Sequence, residues 1–111
     1  MSYQLKRQYT AMYDRHADAL MSQTERKLAE DAIALDPGRW PVIRDSGGCQ
    51  KARIPLAGRG KSGGARVIYF FAARRGFIAF IDVYAKNEKE NLSEREQKAI
   101  RAFVAEIKRG R

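Results

Sequence analysis

Cysteine is nearly absent from this chain, because Cys49 is the only one among its 111 residues. A lone cysteine forms no internal disulfide, which suits a reducing compartment, and without a partner cysteine or a neighbouring base it predicts neither a zinc site nor a thiol nucleophile. No apolar run approaches the roughly 18–20 residues of a membrane-spanning helix, and the first residues lack the apolar region of a signal peptide. We therefore expect a cytoplasmic protein without metal, cofactor or membrane contact.

Histidine is equally scarce, since the chain has one, His16. Histidine is the usual general base near neutral pH. His16 lies in a predicted helix between Asp14 and Asp18, far along the chain from most of the cations. We therefore expect a surface histidine.

Acidic residues are missing from the middle of the chain, where residues 39–75 contain one acid, Asp45, and nine lysines and arginines. The cations are Arg39, Arg44, Lys51, Arg53, Arg59, Lys61, Arg66, Arg74 and Arg75. This third therefore carries +8 of the formal net charge of +9. A local excess of this kind is typical of a phosphate-binding surface, so a polyanion is the expected partner.

The first third predicts two helices. Apolar residues recur at helical spacing in the first at Tyr9, Tyr13, Ala17 and Leu20. Ser22–Glu25 is a capping-box sequence that starts the second helix, and Asp36-Pro37-Gly38 ends it. Leu28, Ala29, Ala32 and Ile33 form the predicted apolar face of the second helix.

The middle of the chain predicts strands separated by glycine-rich loops. The first strand runs from Lys51 to Leu56 and places Lys51 and Arg53 on one face, because strand side chains alternate. Gly60-Lys61-Ser62 resembles part of a nucleotide-binding P-loop, but Pro55 stands where that motif needs its first glycine and no helix follows. We therefore reject a nucleotide-binding P-loop.

Two stronger strands, 66–71 and 77–84, form a predicted hairpin. A three-residue loop that ends at Gly76, with this glycine left-handed, pairs Ala73 with Phe77. That register places Arg66 opposite Tyr84 and Ile68 opposite Asp82, so Asp82 lies diagonally across from Arg66 and is expected to orient it. The opposite face would then be apolar, with the pairs Val67–Val83, Tyr69–Ile81 and Phe71–Ala79.

A last helix begins at about Ser93, where Ser93–Glu96 is a second capping box. Its apolar stripe, at i, i+3, i+4 and i+7, is Ile100, Phe103, Val104 and Ile107. The stripe predicts that this helix packs on the sheet. The chain thus reads as a single α+β domain over residues 1–111, with two N-terminal helices, a small, mainly antiparallel twisted sheet and a C-terminal helix packed on it.

The motifs resemble the RelE/ParE toxin superfamily, and within it the HigB-like branch of type II toxin–antitoxin systems. The resemblance rests on Gly47-Gly48, Lys51-Ala-Arg53, the segment from Gly60 to Tyr69 and the segment from Val83 to Ser93. It spans about residues 36–107. It implies a RelE-like fold and a metal-independent endoribonuclease that cleaves messenger RNA in the ribosomal A site and inhibits translation. It also implies a cognate antitoxin, expected to be a small helix-turn-helix protein.

The resemblance also implies which residues act. In the family that the chain resembles, the ribose 2′-hydroxyl attacks the adjacent phosphate, so the resemblance implies cations that stabilise the developing charge. The catalytic candidates are Arg66, which matches the family's phosphate-contacting arginine, Lys86, Tyr84 and Arg53. The RNA-binding candidates are Lys51, Arg59, Lys61 and Asn87. With no histidine beside the hairpin in the sequence, a lysine is expected to exchange the proton.

Two other functions stay open: a ParE-like inhibitor of DNA gyrase, and a non-catalytic nucleic-acid-binding protein of the same fold. The mode of antitoxin binding is open too. An acidic segment could cover the cations, or a body could bind elsewhere and block entry to the ribosome by bulk. The second mode is favoured by an expected aromatic and methionine surface on the N-terminal segment, formed by Tyr3, Tyr9, Met12 and Tyr13.

Overall fold

The structure, a computed structural model, describes residues 5–56, 64–89 and 91–110. The strands are β1 (Lys6–Tyr9), β2 (Gln50–Pro55), β3 (Gly64–Ala72) and β4 (Phe77–Ala85). The helices are α1 (Ala11–Leu20), α2 (Gln23–Leu35) and α3 (Glu94–Lys108), with a 3₁₀ turn at Ala73–Arg75. The four strands form one sheet in the order β1-β4-β3-β2. Only the β1–β4 pair is parallel within it, so the predicted α+β class and mainly antiparallel sheet are confirmed.

Strand β1 was not predicted. Tyr9 was assigned to the first helix, but it pairs with Phe80 in the parallel ladder and its ring stacks on the Phe80 ring at a centroid distance of 5.4 Å. The helix begins after Thr10, whose hydroxyl accepts from the backbone N–H of Tyr13 and donates to the Ile81 carbonyl. All four residues of β1 are exposed, so this strand has no alternating apolar pattern for the sequence to reveal.

Both predicted capping boxes are present. The Ser22 hydroxyl accepts from the Glu25 N–H while the Glu25 carboxylate accepts from the Ser22 N–H, and Ser93 and Glu96 repeat this exchange. The predicted faces are only partly correct. In α2, Leu28 is 65% exposed, and in α3, Phe103 is 40% exposed. Ala29 and Ile33 of α2 and the other three stripe residues of α3 are buried as expected.

The β3–β4 hairpin departs from the predicted register at one end. Ala72, not Ala73, pairs with Phe77, so the loop holds four residues, Ala73 to Gly76, and Gly76 is left-handed as predicted, with φ 70°. A bulge at Ile81 then compensates for the extra residue. As a result Val67–Val83, Arg66–Tyr84 and Ile68–Asp82 pair as predicted. The predicted pairs Tyr69–Ile81 and Phe71–Ala79 are wrong.

The bulge changes which side chains in the first half of β4 lie on each face of the sheet. Ile78 and Phe80 join the core beneath α1 and α2, whereas Ala79 and Ile81 join the core beneath α3. Every residue of β4 is buried. Because apolar side chains are stabilised on both faces of this strand, the apolar pattern could not distinguish the two registers.

The expected aromatic surface on the N-terminal segment is not found among the described residues. Tyr13 is fully buried and Met12 is half-buried, because α1 packs against β4. Tyr9 remains 39% exposed. Tyr3 lies outside the described residues.

The Gly47-Gly48 motif forms a tight turn beneath α3. Both glycines have positive φ, 81° and 113°, and a Cβ at Gly48 would lie 3.3 Å from the Phe70 ring. Two cations of α3 hold this turn, since Arg101 donates to the Asp45 carbonyl and Lys108 donates to the Gly47 carbonyl. The motif therefore fixes the segment that leads into β2.

We expect Gly48→Ala to lower the free energy of unfolding by about 1–3 kcal/mol, because an L side chain is strained at this φ. Urea unfolding measures the change. Gly38→Ala is the matched control, since a Cβ there meets no atom within 4 Å. Its free energy of unfolding should be unchanged or rise by up to about 1 kcal/mol. Equal values for the two variants would contradict the assigned role of Gly48.

Candidate nucleic-acid interface

A row of three functional candidates crosses the sheet. Arg53 on β2 pairs with Arg66 on β3, and Arg66 pairs with Tyr84 on β4. Directly paired residues share a face, so the three side chains project to the same side. Lys51 lies in the next row, opposite Ile68, and Ala52 between the two β2 cations is buried on the other face. The predicted common face of Lys51 and Arg53 is therefore confirmed.

The Arg53–Arg66 pair is the main electrostatic feature of this row. Like charges directly opposite each other on neighbouring strands destabilise a sheet. Arg53 is exposed and Arg66 is half-buried, with Nη1 of Arg66 3.3 Å from the Ala65 carbonyl oxygen that accepts its hydrogen bond. A bound anion would relieve this repulsion, and a guanidinium matches a phosphate with two parallel hydrogen bonds. The pair therefore favours phosphate binding.

Lys86 and Asn87 extend the site beyond β4. The Lys86 N–H donates to the Gly64 carbonyl at 2.9 Å, which fixes the lysine beside the first residue of β3. A hydrogen bond from the Glu88 N–H to the Ala85 carbonyl closes the turn that follows β4. The side chains of Lys86 and Asn87 are exposed on this turn, two and three residues after Tyr84. Arg59 and Lys61, the other predicted cations, lie outside the described residues.

Tyr84 is almost fully buried, and its hydroxyl has no hydrogen-bond partner among the described residues. Burial raises the pKa of this phenol, and the nearby Arg66 charge opposes the rise. The Lys89 ammonium lies 4.9 Å from the centre of the Tyr84 ring and pairs with Glu96 of α3. Burial opposes ionisation of Glu96, but hydrogen bonds from Lys89 and Ser93 outweigh it and lower the Glu96 pKa. The tyrosine is therefore a protonated group at the end of the row that Arg53 and Arg66 form.

Asp82 does not act as predicted. It was expected to orient Arg66, but its Oδ1 accepts from the Val83 N–H and lies 2.6 Å from Nδ1 of His16. His16 was expected to be a simple surface residue. It is half-buried at the edge of β4, where α1 packs. The structure thus brings the only histidine next to the last strand, which contradicts the expectation that no histidine stands near the hairpin or the last strand.

Two pockets flank the start of α3. One, of about 330 Å³, lies between α1 and the end of β4, and its lining includes His16, Leu20, Tyr84, Glu88 and Lys89. The other, of about 300 Å³, lies on the β2 side. Its lining includes two of the predicted cations, Arg44 and Lys51, together with Asn91 and Gln97. The two pockets lie beside the same cationic face, at its β4 and β2 sides.

Across residues 5–56, 64–89 and 91–110, histidine, cysteine and acidic side chains do not form a group of three that could hold a metal ion. In the same ranges no helix is both long enough and apolar enough to cross a bilayer.

The chain matches a known protein family. A family model described as the RelE toxin of the RelE/RelB toxin–antitoxin system matches residues 43–109, which is more than half of the chain. The match contains β2, β3, β4 and α3, and with them the whole cationic row. Helices α1 and α2, and therefore His16, lie outside the matched residues.

Proposed function

Since the chain belongs to the RelE toxin family of toxin–antitoxin systems, we propose that it is a ribosome-dependent endoribonuclease. It cleaves messenger RNA in the ribosomal A site without a metal ion and so stops translation. The observation that supports this most is the Arg53–Arg66 pair beside Tyr84, a row of cations that two neighbouring strands hold on one face. A purely structural role would not favour two arginines directly opposite each other.

The proposed reaction uses the RNA's own nucleophile. The ribose 2′-oxygen attacks the adjacent phosphorus, the bond from phosphorus to the 5′-oxygen breaks, and a 2′,3′-cyclic phosphate and a 5′-hydroxyl remain. Arg66 stabilises the additional negative charge on the phosphorane, because its guanidinium is held in place before the reaction. Arg53 and Lys51 hold neighbouring phosphates, and Lys86 and Asn87 contact the RNA from the turn after β4.

The ribosome supplies the geometry that this face lacks. Tyr84 at one end of the row is buried, but Arg53 at the other end is exposed and the two pockets beside the row are small, so a free RNA strand would bind in many positions. Holding the reacting atoms in one orientation can contribute about 7–11 kcal/mol to a reaction of this kind. We therefore expect weak cleavage of free RNA and strong cleavage of RNA in the A site.

Family membership pairs this toxin with an antitoxin, and we propose a small helix-turn-helix protein in the cytoplasm. Because Tyr13 is buried and Met12 is half-buried, the N-terminal segment gives little support for binding at a remote apolar surface. Direct coverage of Lys51, Arg53 and Arg66 by an acidic segment agrees better with the described surface. Affinity for the antitoxin should then fall steeply as salt increases.

Induction of the protein without its antitoxin tests the function. We expect growth and protein synthesis to stop, and primer extension on cellular messenger RNA to show new 5′ ends at fixed positions within codons. Cleavage of a ribosome-bound message by purified protein, with EDTA present, should reproduce those ends. Unimpaired protein synthesis would exclude the toxin activity. Arrest with intact messages and blocked DNA gyrase would favour a gyrase inhibitor, and RNA binding without cuts would favour a non-catalytic protein.

A further inference from the structure

The His16–Asp82 pair resembles the arrangement by which a buried carboxylate orients an imidazole for proton transfer. The two side chains are 2.6 Å apart between Nδ1 and Oδ1. Asp82 is 2% exposed and its Oδ1 also accepts from the Val83 N–H, so the carboxylate position is fixed by the strand. An acceptor at this distance from Nδ1 selects the tautomer with its proton on Nδ1, which leaves Nε2 able to accept a proton.

The pair lies next to the cationic row. His16 and Tyr84 line the same pocket of about 330 Å³, and Tyr84 is the direct cross-strand partner of Arg66. A phosphate held by Arg66 would therefore lie at the side of this pocket. For His16 to reach the ribose attached to that phosphate, the ribose must extend past Tyr84 into this pocket. The pocket volume lies at the lower end of the roughly 300–1,000 Å³ that is usual for small-ligand sites.

The other charged side chains around His16 pair with groups other than its imidazole. Asp14 and Asp18 on the same helix both accept from Arg26. Across the pocket stand Tyr84, Glu88 and Lys89. Lys89 pairs with Glu96, and the Glu88 carboxylate accepts from the Ala85 N–H. Among the described residues Asp82 is thus the acid that the structure places in hydrogen-bond contact with His16.

We propose that His16 is the general base of the cleavage reaction and that Asp82 is its positioning residue. This inference rests on the proposed function. Nε2 of His16 takes the proton of the ribose 2′-hydroxyl as the 2′-oxygen bonds to phosphorus. The 5′-oxygen leaves and takes a proton from water, and the imidazolium returns its proton to the resulting hydroxide. The net change is the movement of one proton from the 2′-oxygen to the 5′-oxygen.

His16→Asn separates catalysis from structure. The asparagine amide can still donate to Asp82 from the δ position, but it has no basic nitrogen. We measure single-turnover cleavage of a ribosome-bound message between about pH 5.5 and 8.5, the range in which histidine titrates. The wild-type rate should rise with pH and level off. His16→Asn should be slower by about 100-fold or more and should lose that rise, with an unchanged unfolding midpoint.

Two further variants and one control complete the test. His16→Ala should regain part of its activity when imidazole is added, which a structural role would not produce. Asp82→Asn keeps an oxygen that can accept both hydrogen bonds but loses the charge, so an intermediate rate is expected. Arg15→Gln, on the same helix and exposed, should cleave like the wild type. If the wild type and His16→Asn are equally active, the role of His16 is overturned and the proposed function stands. If the wild type is inactive, the proposed function itself is overturned.

Discussion

Arg66→Ala should abolish toxicity and slow cleavage of ribosome-bound messenger RNA by about 100- to 1,000-fold, the usual loss when one stabiliser of transition-state charge is removed. Arg66 is half-buried between Arg53 and Tyr84, its direct partners on the two neighbouring strands. Its replacement removes the charge without opening the apolar core, because neither core cluster of the sheet contains it. Single-turnover kinetics measure the rate, and thermal unfolding measures the fold.

Arg74→Ala is the matched control for this prediction. The substitution removes the same charge from the same hairpin. Arg74, however, is exposed in the loop at the opposite end of β3 and β4. We expect toxicity and rate to stay within a few-fold of the wild type. If Arg74→Ala loses as much activity as Arg66→Ala, then overall charge rather than the row controls the reaction. A fully toxic Arg66→Ala would remove Arg66 from the site.

Of the substitutions proposed for this protein, Arg26→Ala should have the largest effect on stability. We expect it to lower the free energy of unfolding by about 3–5 kcal/mol. Arg26 donates to Glu30 at 2.8 Å and to Asp14 at 2.5 Å. Glu30 is 6% exposed and also accepts from the Tyr13 hydroxyl. Without Arg26 this buried carboxylate keeps its desolvation cost but loses its cation. Urea unfolding measures the change.

Glu30→Gln in the Arg26→Ala background tests the cause. Glutamine removes the uncompensated charge and still accepts from Tyr13, so part of the lost stability should return. Burial, followed by the Glu30 charge, raises the pKa of Tyr13, which keeps this hydroxyl protonated as a donor. Lys27→Ala is the control, because its ion pair with Asp31 is exposed and its loss should leave the free energy of unfolding nearly unchanged. Equal losses in Arg26→Ala and Lys27→Ala would show that the buried network adds nothing.

The sequence alone determined the elements whose signals are local. Capping boxes identify the starts of α2 and α3, because the serine and the glutamate satisfy backbone groups within one turn. Glycine at position 76 marked the left-handed end of the hairpin loop. The pairing of Arg66 with Tyr84 followed from counting back along two strands, and the bulge at Ile81 happened to cancel the error in loop length.

Only the tertiary structure decided what depends on contacts between distant residues. Strand β1 is exposed along its length and exists because β4 offers it a free edge, so its own sequence has no strand pattern. The bulge lies in a strand that contacts an apolar core on each face, and the pattern of a single strand cannot distinguish the two faces. His16 and Asp82 are 66 residues apart, and the packing of α1 on β4 brings them together. Helical spacing predicts the face of a helix but not the strand that it meets, which is why the structure was needed to reveal this pair.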